Sequence, residues 1–203
     1  MDILNLLKYR RSIRQFKPDK ISDEIINNIL YSATLAPSAK NRQPWRFTVI
    51  RSAEKKLEML SAMEIGMHTI YKHYQKQNIQ RPDIIDALGT VNIMKQAPFT
   101  VFVALEKKYD VVYHDNINWN LQALDIEVAD IQSVGAAIQN MIIYAESLEI
   151  GSLWICDFFY AYQEIARFLG TKNPIIAAIS FGYHDNIKRN PIREPLEKTL
   201  QYI

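Results

Sequence analysis

The sequence is short of cysteine, of glycine and of long apolar runs, and each shortage excludes something. Cys156 is the only cysteine of 203 residues, so neither an intrachain disulfide nor a zinc ribbon can form. A reducing, cytoplasmic setting is the expectation. Its thiol is expected as a small buried apolar group, not a nucleophile. Only six glycines are present, and none belongs to a Gly-rich phosphate loop of the dinucleotide-binding or P-loop type. A nucleotide phosphate would have to be held by arginines. No apolar run approaches the ~20 residues of a membrane-spanning helix. The start, MDILNLLKYRR, has too short an apolar stretch for a signal peptide and places its basic residues after that stretch.

Net charge is also small, at +2, but the sum hides an uneven distribution. Residues 1–51 hold ten Lys/Arg against four Asp/Glu, a balance of +6, whereas 52–183 hold ten against fifteen, a balance of −5. The length suits one domain with its own core, and 48% apolar with 23% charged residues is globular composition.

Periodicity predicts a short helix over 2–9 capped by Asp2, and a helix behind Ser22 with Ile25, Ile26, Ile29, Leu30 and Ala33 on one face. That helix should end before Pro37. A strand is expected at WRFTVIR (45–51) and a helix at 53–63. Residues 64–96 read as helical pieces broken by Pro82 and Gly89, and PFTVFVAL (98–105) as a buried strand. The stretch 106–124 has no pattern and reads as a loop or lid. The long helix 126–149 shows sustained three- and four-residue spacing, with Gly151 just past its end. Its small residues Gly135, Ala136 and Ala137 would let another backbone approach. Strand 151–156, helix 161–169 and strand 175–183 follow. The tail 184–203 cannot build a core of its own and is expected to wrap a neighbour. Interleaved helices and strands give a mixed α+β class.

Three segments could carry chemistry. RRSIRQF (10–16) sets three guanidiniums within five residues beside a serine, a donor set suited to a phosphate dianion; a solvated basic face or a nucleic-acid contact is the alternative. In APSAKNRQPWRF (36–47), Asn41 offers a donor and an acceptor in one plane, as the edge of a heterocycle requires. Ser38 and Asn41 would otherwise serve the turn itself, and Gln43 and Trp45 would fix loop and core. In EIGSLWICDF (149–158), a strand ends in a polar turn that leaves backbone N–H groups at Cys156 and Asp157.

The order and spacing of these segments resemble the FMN-dependent nitroreductase family: RRSxRxF, then APSxxNxQPWRF, then GAAIQNMIIYAESLEIGSLWI (135–155), then FGYHDNIKRNPIREPLEK (181–198). The resemblance covers the chain except roughly 64–95 and 106–124. It implies a largely antiparallel mixed sheet flanked by helices, one domain over 1–203, and an intertwined homodimer with FMN at the interface. Arg10, Arg11 and Ser12 would hold the phosphate and ribityl chain. Arg14 would face the pyrimidine edge, where a cation favours the negatively charged reduced flavin. Pro37, Ser38, Ala39 and Asn41 would reach the flavin from the other subunit. The backbone at Cys156 and Asp157 would lie against flavin N5, although Cys-Asp departs from the family's usual Glu-Gly or Gly. Arg193, and more weakly Arg189, would join the phosphate site, and Asn92 and Lys95 are the nearest matches to a further contact. Tyr113 and Trp119 could act as stacking lids. The implied activity is hydride transfer from NADH or NADPH through the flavin to a small acceptor such as a nitroaromatic or quinone, in ping-pong order and with no catalytic side chain. Dehalogenation, flavin cleavage, ring dehydrogenation and flavin binding without turnover stay open within the family.

Two other classes fit less well. A nucleic-acid module would need basic residues beyond the N-terminal cluster. A metal site would need better spacing than that of His68 and His73. No metal, nucleic acid or membrane is expected.

Overall fold

The structure, a computed structural model, describes residues 2–80, 82–106, 119–185 and 192–203, without the side chains of 82–85 and 119–127. Four strands form one antiparallel sheet: β1 (Trp45–Ile50), β2 (Phe99–Leu105), β3 (Gly151–Ile155) and β4 (Ile175–Gly182), in the order β1-β2-β4-β3. Around it run α1 (Ile3–Tyr9), α2 (Asp23–Thr34), α3 (Ala53–Lys76), α4 (Pro82–Gln96), α5 (Trp119–Ser147), α6 (Tyr162–Leu169) and a short α7 (Leu196–Thr199). The only parallel pairing among the described residues is a bridge between Ser12 and Ser152.

The central strands explain the layering. β2 is buried along its whole length, as a strand covered on both faces must be. Phe99, Val101, Val103 and Leu105 pack with α2 and α5, together with Ala177, Ile179 and Phe181 of β4. Phe102 and Ala178 point the other way, into a core built with α3, α4 and α6. The result is three layers, helix–sheet–helix. Thr100 and Ser180 face each other across β2 and β4 and join hydroxyls at 2.8 Å, so neither buried oxygen is left without a partner.

Local signals placed the starts of α1, α2 and α3. Asp2, Ser22 and Ser52 each accept a backbone N–H from the first turn of α1, α2 and α3. Other expectations need correction. The helix expected over 53–63 continues to Lys76, because Met59, Met63 and Met67 keep the apolar face going. The break expected at Pro82 is present, since α3 ends at Lys76 and Pro82 opens α4, a position where its missing N–H costs nothing. Gly89 interrupts nothing: α4 runs through it, with open space where a side chain would stand. α5 starts at Trp119, seven residues before the expected 126, so Trp119 belongs to a helix and not to a loop. The end of α5 is turned by Glu149 at φ 59°, not by Gly151, which lies inside β3. Tyr113 and Arg189 lie outside the described residues.

Candidate functional site

The sheet order places the three sequence segments. Ile13 donates its N–H to the Ser152 carbonyl at 2.9 Å, so the basic segment is fastened to the start of edge strand β3. The chain then crosses that end of the sheet: Phe16 N–H donates to Gln96 Oε1 at 3.3 Å and Lys17 N–H to the Tyr183 carbonyl at 2.7 Å. Gly151 has to be glycine here, since a Cβ would stand 2.5 Å from both Ile13 Cγ1 and His184 Cδ2. The basic segment therefore lies close against the sheet end, with Arg14 exposed and Arg10 and Arg11 partly buried.

Arg11 Nη1 donates to the carbonyls of Lys8 and Arg10 at 2.6 and 2.8 Å, and Arg14 Nη1 makes a long contact with the Ser12 carbonyl at 3.4 Å. Among the described residues no carboxylate lies within ion-pair distance of Arg10 or Arg14. Glu146, at the end of α5, acts on Arg10 and Arg11 from farther away. Burial raises its pKa, and the charges of His184, Arg10 and Arg11 hold the rise back. Three arginines and a serine hydroxyl within five residues form a donor set that fits a phosphate group.

Cys156 and Asp157 lie at the other end of β3, four and five residues beyond Ser152, or about 13–17 Å at the usual strand rise. Cys156 is exposed, which overturns the expectation of a buried thiol. Its pKa is nevertheless pushed up, first by partial desolvation and then by the Asp157 charge, so it is a thiol and not a thiolate at neutral pH. Asp157 opens a 3-10 turn and accepts a short hydrogen bond from Thr90, a buried residue of α4. Thr90 and Gln96 thus tie α4 to the Asp157 turn and to the basic segment. Neither was legible in the sequence, whereas Asn92 and Lys95, the candidates there, are exposed. Residues 192–203 are exposed throughout, with Ile192 at 98% and Tyr202 at 89%, and Arg193 forms no ion pair among the described residues.

The loop 37–44 lies elsewhere. It leads into β1, the opposite edge strand, three strand spacings or about 14 Å from β3. Within one chain Pro37, Ser38, Ala39 and Asn41 do not join the basic segment. Their loop is unusual in conformation: Lys40, Asn41 and Gln43 have φ of 51°, 53° and 49°. Left-handed backbone costs about 1–2 kcal/mol for a residue other than glycine, less for Asn. The restraints are visible. Gln43 N–H donates to Ser38 Oγ at 3.0 Å, and Ala39 N–H to Ser133 Oγ of α5 at 3.3 Å. Gln43 Nε2 donates to Asn41 Oδ1 at 3.2 Å. Arg42 Nε donates to Asp130 Oδ1 of α5 at 2.8 Å. Nη2 is 2.6 Å from the same oxygen, an ionic contact outside hydrogen-bond geometry. Both side chains are about nine-tenths buried. Breaking one side of a buried pair costs about 3–5 kcal/mol, comparable with or larger than the strain it holds.

Among the described residues no group of three His, Cys, Asp or Glu could hold a metal ion, and no helix is long and apolar enough to cross a membrane.

Comparison with known proteins bears on the family and the fold. The model of the family described as "Nitroreductase family" matches residues 7–183. A protein of Archaeoglobus fulgidus, provisionally named an NADH dehydrogenase/NAD(P)H nitroreductase, is 28% identical over 188 residues, 90% of this chain and 85% of its own length. The crystal structure of a BluB-like flavoprotein from Clostridium difficile 630 superposes with a TM-score of 0.85 at 25% identity, covering 100% of this chain and 99% of its own. The FMN-dependent nitroreductase NfnB of Mycobacterium smegmatis, solved with NADPH, shares the fold with a TM-score of 0.71 at 20% identity, over 98% and 97% of the two chains.

Proposed function

The chain belongs to the nitroreductase family, and from that premise we propose that this FMN-dependent NAD(P)H oxidoreductase works as a homodimer in which each flavin site is completed by the partner chain. The observation that carries the proposal is the sheet order. One edge strand, β3, has the basic segment at its start and the Cys156–Asp157 turn at its end, while the Asn41 loop stands at the opposite edge. A loop about 14 Å away across the sheet serves such a site when a second copy brings its own loop over.

In this reading Arg10, Arg11 and Ser12 hold the phosphate, with Arg193 contributed by the exposed tail. Arg14 supplies a fixed positive charge beside the ring, where negative charge gathers on reduction. The backbone N–H groups at Cys156 and Asp157 orient the ring, and Asn41 of the partner chain supplies an in-plane donor. The protonated thiol of Cys156 is not used. When bound, FMN supplies a ring that takes a hydride from NADH or NADPH and passes it on to a small acceptor such as a nitroaromatic or quinone in a second, separate encounter. The protein's own part is to hold, orient and bias the ring electrostatically.

Gly135 and Ala136 of α5 are partly exposed with open space at Gly135, where a second backbone could approach closely. Exposed Ile3, Leu4, Leu7 and Tyr9 of α1, with the tail residues, are the apolar surface that dimerisation would cover.

The test is the visible spectrum of the purified protein before and after anaerobic NADH or NADPH. A yellow protein that bleaches supports the reductase reading and identifies the donor. One that binds FMN and stays yellow with both nucleotides marks a flavin-binding protein without this turnover. Failure to take up FMN at all would sink the proposal.

A further inference from the structure

The buried ion pair at the root of the Asn41 loop has a function of its own. Lys40, Asn41 and Gln43 are held at φ near +50°, a conformation that a free loop of these residues would leave. The contacts that oppose this are arranged in two shells. Short ones act within the loop, from Gln43 to Ser38 Oγ and from Gln43 Nε2 to Asn41 Oδ1. Long-range ones anchor it to α5, from Ala39 to Ser133 and from Arg42 to Asp130. Ser133 Oγ itself donates to the Ala129 carbonyl at 2.7 Å, so that anchor is oriented in turn.

We propose that Arg42 and Asp130 are positioning residues of the flavin site: their buried pair locks the 38–43 loop in its left-handed conformation, which fixes where the Asn41 amide is presented. Neither residue touches the ligand. With Asn41 Oδ1 engaged by Gln43, the amide nitrogen is the group left to reach out, so the loop recognises a hydrogen-bond acceptor on a planar ring and is indifferent to the phosphate. The proposal rests on the flavin reading given above.

The loop's order is measurable without any ligand. Amide exchange at Ala39 and Gln43 is expected to quicken at least tenfold in Arg42→Met and in Asp130→Asn, relative to amides of β2 in the same molecules. Titration with FMN and with riboflavin, which has no phosphate, forms the second arm. Both variants should lose about tenfold in affinity for each ligand alike. Adding Lys40→Gly to Arg42→Met should recover at least threefold of that loss, because glycine takes φ near +50° without steric cost. A pair that only stabilised the fold would leave the affinity of the folded protein and the Lys40→Gly rescue unmoved.

Unchanged exchange at Ala39 and Gln43 would overturn the proposal, as would a loss confined to FMN or the absence of rescue. If the native protein binds neither flavin, the flavin reading fails, and the ligand role proposed for the pair falls with it. If Arg42→Met does not fold, Asp130→Asn carries both arms, since it keeps the size of the side chain while removing the charge that pairs with Arg42.

Discussion

Replacing Gly151 by Ala should damage the phosphate end of the site through packing alone. Gly151 has ordinary negative φ, so alanine meets no backbone penalty there. The new Cβ, however, would lie 2.5 Å from Ile13 Cγ1, 2.5 Å from His184 Cδ2 and 3.1 Å from His184 Nε2. Comfortable carbon contact begins near 3.5 Å, so neighbours must retreat by about 1 Å. His184 is only half buried and can swing outward. Ile13 is 1% exposed and its backbone is bonded to Ser152, so its retreat drags the basic segment away from β3. Overpacking of this kind costs about 1–3 kcal/mol, and a chain of this size loses about 2–4 °C in Tm per kcal/mol. A fall of roughly 2–12 °C is therefore expected in a thermal melt, together with weaker FMN binding and little change for riboflavin. Gly89→Ala is the control. It sits in the exposed interior of α4 with nothing near its Cβ, so it should raise Tm through a gain of about 0.5–1 kcal/mol. A Gly151→Ala protein with native Tm and native FMN affinity would refute the steric argument.

Three further outcomes separate the roles assigned above. Arg10→Ala should weaken FMN by about tenfold or more, as loss of a bond to a charged group does, and spare riboflavin. Arg14→Ala should slow flavin reduction more than it weakens binding, and equal effects of the two variants on both quantities would refute the division. Glu146 holds its proton more tightly folded than unfolded, its pKa being raised above the ordinary 4.5 by burial. Its contribution to stability is therefore present below the unfolded pKa and lost as pH rises through the folded one. Glu146→Gln should flatten the decline of Tm as pH rises from the unfolded to the folded pKa and tighten FMN binding by about two- to fivefold, the influence of one partly screened charge; an unaltered pH profile would count against it. Gly135→Leu should shift the sedimentation of a dimer towards monomer and cost flavin affinity, and an intact dimer would exclude the small-residue face of α5 as its contact.

Much of the fold was legible because its signals are local. The caps Asp2, Ser22 and Ser52 lie within three residues of the N–H groups they satisfy, and the apolar run of β2 lies within seven residues. The basic segment and the Asn41 loop could also be read as candidates, since arginines that crowd together and a Ser–Asn turn are properties of adjacent residues. Misreadings came where composition suggested a local event that packing overruled. Gly89 was expected to break a helix whose apolar face, Ala87, Val91 and Met94, is buried and holds it together. Cys156 was expected inside, yet it stands at a strand end where the sheet has run out of cover.

The sequence by itself determined the element types, the place where positive charge would gather and the family. Only the tertiary structure decided that β1 and β3 are opposite edges, so that two segments of one candidate site cannot meet within a single chain. It alone paired Arg42 with Asp130, 88 residues on, and Thr90 with Asp157, 67 residues on. The physical reason is range. Caps and periodicity act over one or two turns of backbone, but a buried charge or hydroxyl takes whatever partner the packed layers bring to it, and no pattern of neighbours in the chain names that partner.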